Sequence, residues 1–319
     1  MGMLNFISIL LGLFTVVEWN CENLFDTQHQ SPKRDTEFLP DGTYHWTTAR
    51  YWKKLQHVGQ TLMACGGEEK AWQLPDIIAL CEVENDSVMR DLTKRSPFRQ
   101  ARYNYLITQS PDERGINVAL LYSPYSFRLL RWHAVRVNPI RGMRPTRDLL
   151  YASGELLSGD TLHILVVHAP SRSGGERITR PNRRAVAQQI VAVVDSIRLH
   201  SATNKILVLG DFNDYAQDEN LQYLLRHQLV DVSADAKGTH GAKGTYKYKG
   251  VWDSLDHILC SETLKPYFRQ CQVMDSPFLL TADDIYGGVR PFRTYYGRRY
   301  SALPPGSFSH IPELMTNAM

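Results

Sequence analysis

The chain has 319 residues, 43% of them hydrophobic and 22% charged, the balance of an ordinary soluble globular protein long enough for one large domain or two medium ones. A net charge of +3 gives no general basis for nucleic-acid binding. Five cysteines without any CxxC spacing argue for buried free thiols, against a zinc site and against a disulfide framework.

The N-terminal MGMLNFISILLGLF is apolar but lacks a basic n-region and is too short to span a bilayer. Residues 1–13 read as a lead-in or a remnant export signal, which favours a cytoplasmic location over an exported one without fixing it. Residues 14–319 read as one domain with an atypical tail. Phe14 to Trp19 is the first strand, followed by a polar loop from Thr27 to Asp41. Thr47 to Cys65 carries helical spacing, with Tyr51, Leu55, Val58 and Leu62 on one face. Ile77 to Cys81 is a buried strand, and Glu84 to Arg95 a helix broken near Pro97. After a short strand at Tyr103 to Thr108, Ile116 to Tyr122 and Phe127 to Trp132 read as a strand pair around Ser123-Pro124. Leu149 to Leu157 and Leu162 to Val167 form a hairpin at Ser158-Gly159-Asp160. A helix from Asn182 to Leu199, a strand from Ile206 to Leu209 and a short helix from Asp218 to Arg226 follow. Gly238 to Gly250 is loop or short strand, Ile258 to Cys260 one more strand, and the chain from Pro277 on is loop-like. Many short strands with a few helices between them argue for α/β layers.

Polar residues gather at the strand ends. Four separate strands end in Asn20/Glu22, Glu82, His168 and Asp211/Asn213; Asp256 opens a fifth, and His310 lies in the final loop. Each alone has a bland meaning: Asn20 and Asn213 as turn residues, His168 as a satisfied strand-end histidine, His257 as a structural group. Their joint occurrence argues for a site. Carboxylates and carboxamides without thiols suit Mg²⁺ or Mn²⁺. Glu82 is the strongest metal candidate, because a carboxylate in an apolar run needs a partner; Glu22 and Asp211 are weaker ones. Arg172 shares a loop with His168 and suits phosphate oxygens, whereas Arg183 and Arg184 read as solvated helix faces. Arg141, Arg144 and Arg147 form another basic group, and Tyr246, Tyr248 and Trp252 could stack on a base.

At these residues the chain resembles the endonuclease/exonuclease/phosphatase superfamily, which includes deoxyribonuclease I, exonuclease III and the inositol-phosphate phosphatases. The stretches that carry the resemblance are WNCENLFD (Trp19 to Asp26), PDIIALCEVEN (Pro75 to Asn85), VVHAPSRSGGE (Val166 to Glu176), VLGDFND (Val208 to Asp214) and SLDHIL (Ser254 to Leu259). NCENLFD with PFRTYYG (Pro291 to Gly297) is similar to a Bacteroidetes-type branch. The resemblance implies a deoxyribonuclease I-like α/β four-layer sandwich, with two stacked, mainly antiparallel sheets flanked by helices. It implies that Glu82 holds the metal with Asn20 and Glu22 near it, and that Asp211 activates water, steadied by Asn213. It implies that His168 contacts the phosphate and that Asp256 orients His310.

The family closes on Ser-Asp-His and an apolar strand. Here Ser309 stands before His310, and Glu313 to Met319 replaces the apolar strand. That departure implies a weaker metal shell and the loss of the last strand. Three readings follow: a phosphodiesterase or nuclease, a phosphomonoesterase on a small molecule or lipid headgroup, and an impaired relative that binds phosphorylated ligands. The implied partner is a phosphorylated substrate, nucleic acid or small molecule. No obligate protein partner is implied, and the chain reads as a monomer.

Overall fold

Runs such as Ile206 to Leu209 show no polar alternation because the strands they form are covered on both faces. The computed structural model describes residues 14–66, 72–201 and 204–292, and the backbone of residues 313–317. Its strands are β1 (Phe14–Leu24), β2 (Ile77–Val83), β3 (Asn104–Ile107), β4 (Asn117–Tyr122), β5 (Phe127–Val135), β6 (Leu149–Leu156), β7 (Thr161–His168) and β8 (Lys205–Asp211). They continue with β9 (Leu229–Asp231), β10 (Tyr246–Tyr248), β11 (Val251–Asp253), β12 (Asp256–Ser261), β13 (Phe268–Val273), β14 (Leu280–Ala282), β15 (Val289–Pro291) and β16 (Glu313–Asn317). The helices are α1 (Thr48–Ala64), α2 (Asp86–Arg90), α3 (Glu176–His200) and α4 (Glu219–Arg226).

Two six-stranded sheets run in the orders β13-β16-β1-β2-β4-β3 and β5-β6-β7-β8-β12-β9. Each is antiparallel except for one parallel pair, β1 with β2 and β7 with β8. Between the sheets lies a core to which Val16, Ile77 and Leu120 contribute from one side and Ile164, Leu207 and Ile258 from the other. The opposite face of the first sheet (Val17, Trp19, Leu80) packs on α1 through Leu55, Val58 and Leu62. That of the second (Leu165, Val208) packs on α3 through Val186, Ile190 and Val194. The order of layers is therefore helix, sheet, sheet, helix.

Three features depart from the sequence expectations. Strands β4 and β5 do not pair; β4 joins β2 and β3, while β5 pairs with β6. The Ser123-Pro124 turn carries the chain from one sheet to the other, which alternation along a strand cannot reveal. Helix α3 starts at Glu176 rather than Asn182, with Pro181 inside it. Its first turn is tied by Glu176 to Arg180, Oε1 lying 2.8 Å from Nε. The last strand is not lost: the backbone of Glu313–Asn317 pairs antiparallel with β1 on one side and β13 on the other. The lead-in 1–13 and the Ser309-His310 motif lie outside the described residues. The five cysteines are free thiols, four buried and Cys271 half-buried. Among the described residues, no helix is long and apolar enough to cross a membrane.

Gly210 ends the apolar run of β8 at φ 142°, where an added Cβ would sit 1.9 Å from the carbonyl oxygen of Val167 on β7. Only glycine lets the parallel pair close at this point. Gly210→Ala should therefore lower stability by on the order of 3 kcal/mol or more. Gly142→Ala, with a φ of 84° but nothing within 4 Å, should cost about 1 kcal/mol. Urea denaturation of both variants checks the difference.

Candidate active site

The two parallel pairs place the carboxyl ends of β1, β2, β7 and β8 at one end of the sandwich. Across the sheets, Asn20 Nδ2 donates to Asp211 Oδ2 at 2.9 Å, and Cys81 Sγ lies 3.2 Å from the Val167 carbonyl oxygen. A cleft of about 600 Å³ opens above this seam. It brings together Asn20, Glu22, Glu82, His168, Arg172, Asp211 and Asn213. Asp256 does not line it; it is buried in β12, in register with Asp211 across the β8–β12 pair. His310 lies outside the described residues.

Left-handed backbone concentrates here. Glu22 (φ 50°), Asn23 (59°), Glu82 (60°) and Asn213 (50°) are four of the eight non-glycine residues with positive φ among those described. Such a conformation costs about 1–3 kcal/mol where it is strained. Three of the four aim an N–H at a site oxygen. Asn23 donates to Glu82 Oε2 at 2.8 Å, Glu22 to Asn20 Oδ1 at 2.9 Å, and Asn213 to Asp211 Oδ1 at 2.8 Å. Register shifts in the β1–β2 and β2–β4 pairs accompany these turns. Glu82 thus has its partner, a backbone amide, and its side chain keeps 15% exposure toward the cleft. His168 Nε2 stands between two carboxylates, 3.8 Å from Glu82 Oε1 and 3.8 Å from Asp211 Oδ2. That is ionic proximity, too long for a hydrogen bond.

Cations hold the frame. Arg147, buried, donates to the carbonyls of His168 (3.2 Å) and Ala169 (2.6 Å) and pairs with Asp112 at 3.3 Å, so it stands apart from Arg141 and Arg144. The Asn213 carboxamide also donates to the Ala169 carbonyl, at 3.1 Å. Lys54 is buried on the apolar face of α1 and donates to the carbonyls of Glu22 and Asn23. Burial pulls its ammonium down to about 8, against the charges of Glu22, Cys21 and Glu82. Arg183 is not a solvated residue; it is buried, with Nε donating to Asp214 Oδ1 at 2.6 Å. Arg172 pairs with Asp218 and Asp214 and stacks on the Tyr215 ring at 4.6 Å. Arg114, exposed at the mouth, donates to the Asn23 side chain and has no carboxylate partner among the described residues. Neither Lys54 nor Arg114 stands out in the sequence as a site residue. The signal for Lys54 was its place between Tyr51, Leu55 and Val58 on the helix face.

Glu22 and Glu82 offer hard oxygen donors, with no thiol at the cleft. Asn20 spends its amide on Asp211 and accepts the Glu22 N–H. Among the described residues no group of three or more His, Cys, Asp or Glu could cage a metal ion. The chemistry of Glu22 and Glu82, two carboxylates with no thiol beside them, is that of donors to a hard divalent cation, which would keep water and substrate oxygens in its shell.

The Endonuclease/Exonuclease/phosphatase family profile matches residues 15–316. The chain belongs to this family. No curated protein matches the sequence at a significant level. Among solved structures it is similar to a mannosyl-6-phosphatase from Bacteroides thetaiotaomicron, at 14% identity and TM-score 0.60, over 95% of this chain and 98% of that one. A family protein from the same species matches at 14% identity and TM-score 0.58, over 95% and 97%. The human Nocturnin catalytic domain with bound sulfate matches at 15% identity and TM-score 0.56, over 96% and 93%. At these identities the likeness is one of fold, and the fold of this family member is the deoxyribonuclease I-like sandwich. Phosphoester hydrolysis is the general activity that the family and the cleft fit.

Beneath the cleft, His257 Nε2 reaches the Asp214 carbonyl at 3.0 Å and Nδ1 reaches Asp231 at 2.9 Å. Burial lowers the His257 pKa, but the hydrogen bond and charge of Asp231 outweigh it and leave the pKa raised above 6.5. Burial of Asp231 is likewise outweighed by His257, and its pKa falls below 3.8. The stability that His257 contributes is full below 6.5 and is lost as pH rises through the raised folded value; that of Asp231 is lost only in acid. Wild type should therefore lose more stability than His257→Gln between about pH 6 and about pH 9, measured as urea midpoints at both pH values.

Proposed function

We propose that this family member is a divalent-cation-dependent phosphodiesterase of nuclease type. The observation that carries the reading is Asp211. Its two oxygens are fixed by the Asn20 amide and the Asn213 N–H, and it stands beside His168 and across the cleft from Glu82. A carboxylate so held keeps its remaining lone pairs directed and can orient a water and accept its proton. His168, set between Asp211 and Glu82, contacts the phosphoryl group. Arg114 is the cation open to a phosphate oxygen, while Arg172 is shared with Asp218 and Asp214. Glu82 and Glu22, with Asn20 near them, would hold Mg²⁺ or Mn²⁺, which neutralises developing charge on the phosphate when bound. The left-handed turns at Glu22 and Glu82 present these oxygens to the cleft before substrate arrives.

Arg114, Tyr246 and Tyr248 line the cleft together with the carboxylates, in a volume of about 600 Å³. A cleft of that size, with a cation and two rings in its wall, has room for groups on both ester oxygens of a phosphate and favours a diester over a monoester. The phosphomonoesterase reading draws on the mannosyl-6-phosphatase, whose likeness to this chain is one of fold. The impaired-relative reading loses one of its two supports, because Glu313–Asn317 forms a strand in the first sheet. Its other support, Ser309 before His310, remains a feature of the sequence.

The test is hydrolysis of bis(4-nitrophenyl) phosphate and 4-nitrophenyl phosphate with Mg²⁺, with Mn²⁺ and with EDTA. Diester cleavage should require the cation, and Asp211→Asn should lower kcat about 10³-fold with folding unchanged by circular dichroism. Cleavage that survives EDTA or Asp211→Asn would remove the mechanism. Cleavage of the monoester alone would select the phosphatase reading.

A further inference from the structure

A second cavity, of about 260 Å³, lies beside the cleft and shares Tyr246 with it. Its walls come from two hairpins, β10–β11 and β14–β15. One buried ion pair locks the hairpins together: Lys247 Nζ lies 2.7 Å from Asp283 Oδ2, with side chains 5% and 6% exposed. The same ammonium donates to the carbonyls of Val289 (2.9 Å) and Gly287 (3.1 Å). Asp283 also accepts the N–H groups of Ile285 (3.3 Å) and Tyr286 (3.1 Å). Tyr286 lies against the β10–β11 turn so closely that a Cβ on Gly250 would meet its Cβ at 2.8 Å. The cavity is thus built by buried polar contacts and is not a gap between mobile loops.

Its chemistry is aromatic and cationic. Tyr246 and Tyr286 supply rings, Lys249 and Arg290 supply charge, and neither cation has a carboxylate partner among the described residues. Among the described residues, Arg290 donates to the Ala282 carbonyl alone, at 3.4 Å. Asp283 is occupied by Lys247, which leaves Asp284 exposed as the only opposing charge among the lining residues. Lys249 takes φ 49° and Gly250 φ 85°, a two-residue turn in which Asn or Gly is the usual first residue. The lysine there holds its ammonium 5.4 Å from the centre of the ring of Tyr248, a residue that lines the cleft.

We propose that this cavity is a second substrate subsite, one that receives the ring and the next phosphate of a nucleotide unit beyond the scissile phosphate. The proposal rests on the phosphodiesterase reading and narrows it to single-stranded nucleic acid. Rings stack on tyrosine faces without regard to base, and cations track the backbone. A small phosphomonoester occupies the cleft and leaves the second cavity empty.

The test uses the Asp211→Asn protein in Mg²⁺, so that ligands persist. Fluorescence anisotropy follows binding of fluorescein-labelled tetrathymidylate, with thymidine dinucleotide and thymidine monophosphate as competitors. Adding Lys249→Ala and Arg290→Ala should weaken tetrathymidylate binding at least about tenfold and lower the slope of log K against log salt by roughly 0.7 per cation. The monophosphate should shift less than about twofold. A dinucleotide that loses as much as the tetranucleotide marks a dinucleotide subsite; a smaller loss marks a longer strand. No binding of tetrathymidylate, no loss on substitution, or equal loss for the monophosphate would overturn the proposal. Absence of diester hydrolysis by wild type counts against the phosphodiesterase reading, while the binding result still decides the subsite.

Discussion

The bond from the Asn20 carboxamide to the Asp211 carboxylate spans 191 positions of sequence and joins the two sheets at the site. Everything chemical about the cleft depends on it. Asn20 is carried by the first sheet and Asp211 by the second, so the distance between Glu82 and Asp211 is set by how the sheets stack. The apolar core between them, from Val16 and Ile77 across to Leu207 and Ile258, is the ruler. Interiors pack at near-crystalline density, so that ruler does not stretch. A substrate phosphate placed between the two carboxylates meets a gap fixed by core volume.

The second constraint is that the site spends most of its positive charge on its own backbone. Arg147 grips the carbonyls of His168 and Ala169, Lys54 those of Glu22 and Asn23, and Arg183 the side chain of Asp214. Arg147 and Lys54 replace hydrogen bonds that a left-handed or terminating strand cannot make within a sheet, while Arg183 neutralises a buried carboxylate. Removing such a cation leaves buried carbonyls or a carboxylate unsatisfied, which costs more than the bond itself contributed. The cleft therefore has many arginines around it, but among those described only Arg114 is both exposed at the cleft and without a carboxylate partner.

Much of this was legible in the chain. Apolar runs ending in Glu82, His168 and Asp211 marked strand ends, because a run that stops at a polar residue fixes both the strand and the edge where that residue emerges. The partner of each strand was not legible. Ile116 to Tyr122 and Phe127 to Trp132 alternate as a hairpin would, yet a four-residue turn can just as well cross between sheets. Arg183 looked like a surface charge and Lys54 carried no mark at all, because burial of a cation is decided by partners elsewhere in the chain, Asp214 for one and the Glu22-Asn23 turn for the other. The tail shows the same limit from the other side. Glu313 to Asn317 lacks an apolar pattern, but β1 and β13 leave a slot between them, and the hydrogen-bonding demand of two strand edges recruits whatever backbone can reach it.

That slot has a kinetic meaning. Strand β1, which carries Asn20 and Glu22, is the first of the described strands to be synthesised, and one of its two neighbours is β16, the last. Closing a loop of nearly the whole chain carries the largest entropic cost available to it, and folds dominated by such distant pairings form slowly. The half of the cleft that bears Asn20 and Glu22 is thus held by a sheet that is completed only when the far end of the chain arrives. Until β16 has been made, the edge of β1 opposite β2 is without the partner it has in the folded sheet.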